Sequence, residues 1–318
     1  MAYGLVTVFG GTGFLGRSIV ERLGAAGARV RVAVRHTTEG VLPRVLPQGG
    51  DVDVVYADVR DGTSVARAVR DSDAVVNAVG LYVEQGEATF QAVHVDGAQV
   101  VARAAREAGI PRLVHISGIG ADVNSESSYV RSRALGELAV REACPEATIL
   151  RPSVLFGRGD ALFRSLAAIT RMSPVFPLFG DGSTRLQPVF VGDVAEAAVT
   201  AVGSPSGNGE VYELGGPRVY RYKELVELVL VHLKRRRILV PVPFFVWAIQ
   251  ASLLGILPNP PLTRDQVTLM RRDNVVSDTA LTFADLGITP RQLEAELPFI
   301  ISHVGGDTGL GDFDTDTR

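Results

Sequence analysis

The chain has 318 residues, 46% hydrophobic and 21% charged, with a formal net charge of −3; this excludes a disordered, collagen-like or disulfide-stapled chain and allows one large domain or two modest ones. The near-neutral balance gives no general attraction to nucleic acid, and a single cysteine, Cys144, excludes an intramolecular disulfide and any multi-cysteine metal site. Of the 32 lysines and arginines only two are lysines, Lys223 and Lys234, so chemistry that needs an ammonium group has few candidates.

The first twenty residues have no basic leader before their apolar run and are interrupted by glycines, so they are expected to be structure rather than a signal peptide. From there to about residue 150, β-branched runs alternate with longer amphipathic segments, the pattern of a parallel sheet covered on both faces by helices. Strands are expected at Leu5 to Phe9, Ala28 to Val34, Val52 to Ala57, Ala74 to Ala78, Arg112 to Ile116 and Thr148 to Leu150, with helices at Phe14 to Ala26, Ser64 to Arg70, Thr89 to Ala108 and Ser128 to Ala143. Residues 1–151 are therefore expected to form an α/β, Rossmann-type doubly wound sheet. A strand from Leu186 to Val191 and a helix from Asp193 to Val202 are expected to return to it, making 186–203 a return segment. Segments 152–185 and 204–302 are expected to form a smaller, partly discontinuous C-terminal domain for a substrate or partner. The final stretch, 303–318, holds four aspartates and four glycines and buries too little apolar surface to offset its ordering, so a disordered acidic tail is expected there.

The longest uncharged stretch, Ile238 to Thr263, contains Pro241, Pro243, Pro258, Pro260 and Pro261. Only Phe244 to Leu257 is left for an uninterrupted helix, about 21 Å long, which is short of the roughly 30 Å hydrocarbon core of a bilayer. Lys234, Arg235, Arg236 and Arg237 stand just before this stretch. Cations beside an apolar helix suit a membrane interface or a membrane-bound partner, and they equally suit a buried helix with a solvated basic turn before it.

Gly10, Gly11, Thr12, Gly13, Phe14, Leu15 and Gly16 follow the first strand and open the first helix. A turn that brings bare backbone against a pyrophosphate and aims helix N–H groups at it needs glycines for both its dihedrals and its close approach. Nineteen residues after Gly16, at the end of the second strand, stands Arg35. An acid at this place would hold the ribose hydroxyls of NAD, whereas arginine pairs with a 2′-phosphate, so NADP(H) is favoured over NAD(H). His36, Thr37 and Thr38 could add donors there or simply form a polar loop. Asp58, followed by Val59, would face the adenine edge or cap the next turn. At the end of the fourth strand Ala78, Val79 and Gly80 would admit the nicotinamide ribose.

The combination FGGTGFLG, NAVG, Ser117, Tyr129 in SSYVRSRALGE, RPSVLFG and PVFVGDVA resembles the extended and atypical short-chain dehydrogenase/reductase superfamily. Within it, AVHVDGAQVVARAAREAG, HISGIGAD, YVRSRALGELAVRE, ATILRPSVLFG and PFFVWAIQASLLGILPNPPLTRDQVTLM resemble the NADPH-binding accessory subunits of respiratory complex I and their bacterial relatives, over nearly the whole chain except the tail. In active members of the superfamily a serine positions the carbonyl, a tyrosine transfers the proton and a lysine four residues on holds the nicotinamide ribose. The resemblance gives the first two roles to Ser117 and Tyr129 and the third to Arg133. A guanidinium on the same helical face can still favour the phenolate, but its planar fork is bulkier than an ammonium.

The resemblance thus implies an accessory or assembly factor of a membrane respiratory complex or of quinone metabolism, with a mainly structural nucleotide. It would be cytoplasmic, and peripheral on the inner face of the membrane through residues 234–263. The alternative is a catalytically active NADP-dependent oxidoreductase or epimerase using Ser117 and Tyr129. Neither a nucleic-acid partner nor a metal is expected: the five histidines are scattered and none stands in a ligand spacing. A GxSxG elbow and a phosphate loop ending in Gly-Lys-Ser/Thr are both lacking, which argues against hydrolase and nucleoside-triphosphatase chemistry.

Overall fold

A computed structural model describes residues 3–36, 51–204, 209–254 and 262–306. The chain divides into two units. The first spans 1–153, 191–215 and 276–290; the second spans 154–190, 216–275 and 291–318.

The first unit is built on seven parallel strands, β1 (Leu5–Phe9), β2 (Arg29–Val34), β3 (Val52–Tyr56), β4 (Ala74–Asn77), β5 (Leu113–Ile116), β6 (Thr148–Pro152) and β11 (Val211–Leu214), in the order β3-β2-β1-β4-β5-β6-β11. Four of them, β1, β4, β5 and most of β2, are buried and mostly Val, Ile, Leu, Ala and Phe, with Thr7, Asn77 and His115 buried among them, as a sheet covered on both faces requires. Helix α1 (Phe14–Ala25) packs with α6 (Val191–Gly203), while α2 (Gly62–Val69), α3 (Gly97–Glu107) and α4 (Ser128–Ala143) pack against one another in succession. Right-handed crossovers place these two groups on opposite faces. Under the second group lies a core that includes Phe9, Val65, Val75, Val101, Leu113 and Val140. The strand order reverses between β1 and β4, and a crevice opens there at the strands' carboxyl ends.

Most expected elements of this unit appear with ends displaced by one or two residues, but two features differ. The expected returning strand does not join the main sheet. Pro188 lacks the N–H a ladder needs, and the segment splits into β9 (Arg185–Leu186) and β10 (Val189–Phe190), both in the second unit. The chain re-enters the first unit at Val191, and the seventh strand is β11, paired with β6 from Val211↔Ile149 to Leu214↔Pro152. The expected Thr89 to Ala108 helix starts instead with a π-helical turn, Gln91–Asp96.

The second unit has a core that includes Phe156, Phe163, Leu166, Phe176, Leu178 and Leu225. Around it lie α5 (Ala161–Met172), α7 (Tyr222–His232) and α10 (Leu293–Gly306), with short strands β7 (Leu155–Phe156), β8 (Val175–Phe179), β12 (Tyr220–Arg221) and β13 (Ile238–Val242). Strands β8 and β13 run parallel with Ile238 opposite Val175. After them come α8 (Phe244–Leu254) and α9 (Arg264–Leu269). The end of the expected Phe244 to Leu257 helix falls in residues 255–261, outside the described ones. Helix α10 runs through Gly306, into the stretch expected as a tail, and residues 307–318 are again outside. Among the described residues no helix is long and apolar enough to cross a membrane.

Candidate functional site

The turn between β1 and α1 is shaped by what its glycines leave out. Gly10 has φ +76°, and a Cβ there would sit 2.7 Å from the Ala78 carbonyl oxygen. At Gly11 it would meet the Val32 side chain at 2.7 Å, and at Gly16 the Gly11 Cα at 2.8 Å. The Gly13 N–H donates to the Gly10 carbonyl at 3.0 Å, and Gly13 caps α1 without any side-chain bond to its first amides. Thr12 and Phe14 are half-buried beside this turn, while the Leu15 side chain is buried in the core. The result is a backbone cradle with free helix amides, able to seat a pyrophosphate.

A second group of residues stands at the ends of β4 and β5 and in the first turns of α4. Helix α4 begins where the Ser127 hydroxyl accepts from the Val130 N–H, which puts Tyr129 in the first turn and Arg133 one turn later on the same face. The Arg133 Nη1 donates to the Ile116 carbonyl at 3.0 Å and its Nη2 to the Tyr129 hydroxyl at 3.5 Å. Its guanidinium lies 5.4 Å from the centre of the Tyr129 ring and fills the space above Gly80, where a Cβ would come within 3.2 Å of Cζ. The Ser117 N–H donates to the Leu150 carbonyl at 2.7 Å. Yet the Ser117 Oγ and the Arg133 Nε are both buried without a hydrogen-bond partner, the condition of groups that await an acceptor or donor from a ligand.

Tyr129 is enclosed by aromatic rings. Tyr82 stacks on it at 5.4 Å, and Phe90 and His94 approach edge-on at 5.8 and 5.6 Å. The His94 Nε2 accepts from the Leu81 N–H at 3.0 Å, so Nδ1 carries the proton and donates to the Ser132 Oγ at 2.9 Å. Ser132 in turn donates to the Tyr129 carbonyl at 2.8 Å. Burial, with the nearby Arg133 charge, pushes the His94 pKa down to about 2 and that of His115 to about 3. Both rings are therefore neutral, and the His115 Nδ1 lies 3.3 Å from the Asn77 amide.

On the opposite side of the crevice, Arg35 and His36 are exposed just beyond β2; Thr37 and Thr38 lie outside the described residues. Asp58 is not open toward a base. Its carboxylate accepts from the Arg60 Nη2 at 2.6 Å, from Nε at 3.0 Å and from the Arg60 backbone N–H at 2.9 Å. These bonds hold it below the usual carboxylate range, with Arg35 adding a weaker pull in the same direction. Asp58 thus caps the turn that follows it, its carbonyl also accepting from the Asp61 N–H at 2.9 Å, and Asp61 caps the next helix. Val59 points into the core, 5% exposed, which leaves only its backbone for a ligand. Ala78 and Val79 are half-buried, and the Val79 N–H already donates to the Asn77 side chain at 3.2 Å.

The model of the NAD dependent epimerase/dehydratase family matches residues 6–215. The chain belongs to this family. Among its relatives is the NADH dehydrogenase [ubiquinone] 1 alpha subcomplex subunit 9 of Arabidopsis thaliana, 34% identical over 96% of this chain and 80% of the relative. Another is the ceramide reductase of Caulobacter vibrioides, 35% identical over 64% of this chain and 62% of the relative. The solved Thermus thermophilus UDP-glucose 4-epimerase, in complex with NAD, shares the fold with a TM-score of 0.67 at 22% identity, over 95% of this chain and 99% of that one.

The chain of this epimerase/dehydratase family member presents a glycine cradle with the shape to seat a dinucleotide, and places Ser117, Tyr129 and Arg133 in one group at the ends of β4 and β5 and the start of α4. Asn77, Tyr82, Phe90, His94 and Ser132 also surround this site, and pattern alone did not single them out. Asn77 did carry a signal, a lone amide closing an apolar strand; the others come from a loop and from helix faces whose meeting depends on the fold. Among the described residues there is no group of three or more His, Cys, Asp or Glu side chains placed to hold a metal.

Proposed function

We propose that this chain binds NADP(H) in preference to NAD(H) and serves as an accessory or assembly component of a membrane respiratory complex, or of quinone metabolism, with the nucleotide stabilising the fold. The carrying observation is the seat of Arg133: its guanidinium is fastened to the Ile116 carbonyl and to Tyr129 and lies over Gly80. A compact ammonium at this position would be free to meet a ribose, whereas the two terminal nitrogens of the planar fork are already engaged by the protein and only Nε is without a partner. The aromatic enclosure of Tyr129 and the likeness to the plant complex I subunit support the same reading. Gly10, Gly11, Gly13 and Gly16, with the amides of Thr12, Phe14 and Leu15, would hold the pyrophosphate. Arg35 and His36 would meet the 2′-phosphate, Arg60 would keep Asp58 from repelling it, and Val59, Ala78, Val79 and Gly80 would line the remaining length. When bound, such a nucleotide supplies a transferable hydride, which a structural role leaves unused.

Attachment to the membrane complex or to the inner face of the cytoplasmic membrane is assigned to residues 234–263. Helix α8 supports this, with Phe245, Ile249 and Leu253 all more than half exposed. The test is purification followed by thermal unfolding. Bound NADP(H), or a rise in Tm on adding NADPH corresponding to about 2.7 kcal/mol at one hundred times Kd, is expected; no bound nucleotide and no shift would overturn the reading.

A second reading, a working NADP-dependent oxidoreductase or epimerase, is favoured by the partnerless Ser117 hydroxyl and by the likeness to a ceramide reductase. Here Ser117 would hold a substrate oxygen, Tyr129 would carry the proton, and Arg133 would stabilise the phenolate. NADPH oxidation with a panel of carbonyl compounds that collapses in Tyr129→Phe, while nucleotide binding survives, would establish it.

A further inference from the structure

Both lysines of a chain that otherwise uses arginine stand at the two ends of one helix, α7: Lys223 in its first turn and Lys234 just past its end. Lys234 adopts a left-handed conformation, φ +53°, and so turns Arg235, Arg236 and Arg237 back along the helix. An open, shallow cavity of about 370 Å³ lies here, lined by these three arginines, by Lys223, and by Glu227 as its single acid.

The bland account of such a run is that cations compensate the negative end of the helix dipole. In this case the last carbonyls are already occupied. Leu228 accepts from the His232 Nδ1 at 2.9 Å, Val229 from the Leu233 N–H at 2.9 Å, Leu230 from the Arg235 N–H at 2.9 Å and Val231 from the Lys234 N–H at 3.0 Å. The arginine side chains go elsewhere. Arg237 is fixed by Nε on the Thr170 carbonyl and by Nη1 on the Arg236 carbonyl, both at 2.8 Å. Arg235 has a buried Nη1 with no partner at all, an arrangement folded chains avoid unless an acceptor arrives. Glu227 is 3.9 Å from the Lys223 ammonium, too loose a pair to cancel four cations.

We propose that this cavity is a binding site for a phosphoryl group, carried either by a lipid headgroup or by a soluble phosphorylated compound. Guanidinium forks match phosphate oxygens in pairs and a lysine adds a point charge, which suits a phosphoryl group docked in an open depression. The site lies wholly in the second unit and is independent of the nucleotide reading; it shares Arg235, Arg236 and Arg237 with the membrane-attachment reading and deepens it, and pyrophosphate binding tests the site apart from any membrane.

The test uses the full chain. Calorimetric titration with inorganic pyrophosphate at low salt is expected to show saturable binding that Arg235→Gln/Arg236→Gln weakens at least tenfold, while Arg103→Gln, an exposed charge in the first unit, leaves it unchanged. Flotation with phosphatidylcholine vesicles, with and without phosphatidylglycerol, separates the sources. Vesicle binding lost in the double variant assigns the phosphoryl group to a headgroup; pyrophosphate binding without vesicle binding assigns it to a soluble ligand. If the double variant fails to fold, Arg236→Gln alone, at an exposed position, carries the comparison. Binding that these variants leave intact, or no binding of either probe, overturns the proposal. The NADPH thermal shift of each variant is read separately, so failure here is distinct from failure of the nucleotide reading.

Discussion

Arg35 leaves the end of β2 exposed, and Asp58, the acid whose charge it feels, is already satisfied by Arg60. The guanidinium is therefore available to a phosphate. Arg35→Asp is expected to weaken NADPH binding by about 2 kcal/mol, near thirtyfold, through loss of a charge-assisted contact and gain of repulsion. NADH binding should change little, because its ribose hydroxyls can be accepted by the new carboxylate. Calorimetry with both nucleotides checks this; equal losses would show that Arg35 does not face the 2′-phosphate.

The elements differ in how openly they expose what they bind. Helix α8 buries Ala251 and turns Trp247 inward, where its Nε1 donates to the Leu178 carbonyl at 3.2 Å and its ring lies 4.4 Å from Phe179. Phe245, Ile249 and Leu253 face away, 64%, 57% and 68% exposed. Phe245→Ser with Ile249→Asn should then leave Tm within about a degree or two, since exposed side chains contribute little to folding, yet should reduce recovery of the chain with membranes on sedimentation. A large fall in Tm would mean that this face is covered within the chain.

Legibility in the sequence also varied by element. Helix α4 was readable at both ends, because Ser127 caps it and Pro145 follows Cys144. The strands β1, β2, β4 and β5 announce themselves by their density of Val, Ile, Leu, Ala and Phe, interrupted only by Thr7, by Arg29 and Arg31, by Asn77 and by His115. Strand β11 does not: it is four residues long and contains Glu213, a charge that only the fold explains, since Arg151 reaches it at 3.4 Å and Ser277 donates to it at 2.9 Å. Of the site, the glycines were legible because their role is backbone geometry. The His94 relay was not, because its partners Leu81 and Ser132 lie on other segments and meet only where a π turn shifts the helical register.

For the molecule as a whole, buried titratable groups pull stability in opposite directions with pH. His94 and His115 are held neutral in the folded chain down to about pH 2 and 3, whereas the unfolded chain protonates them below about 6.5, so each costs stability as pH falls through that value. Asp160 works the other way. It caps α5 through the Phe163 N–H at 2.7 Å while only 1% exposed, and burial raises its pKa to about 6. The folded chain therefore keeps this proton longer than the unfolded one, and stability declines as pH rises from about 4 through 6. Because two histidines outweigh one aspartate, stability is expected to rise with pH up to about 6.5 and then level off. Asp160→Asn keeps the cap and removes the charge, and should raise stability at pH 8 by on the order of 3 kcal/mol while changing little at pH 4; urea unfolding at both pH values checks it.

The division into units has a consequence for the order in which the protein can be made. The chain passes between them five times, at 153, 190, 215, 275 and 290. The nucleotide cradle is complete by residue 80, but β11, which closes the sheet, and 276–290, which carries Ser277 to Glu213, emerge long afterwards. At roughly 5 to 20 residues per second, a ribosome needs on the order of ten seconds to travel from the end of β6 to the last of these segments. For the first part of that interval, until β11 emerges, the first sheet has an open edge at β6. A nascent chain in this state is a natural client for chaperones, and a fragment ending at residue 153 would keep that edge permanently.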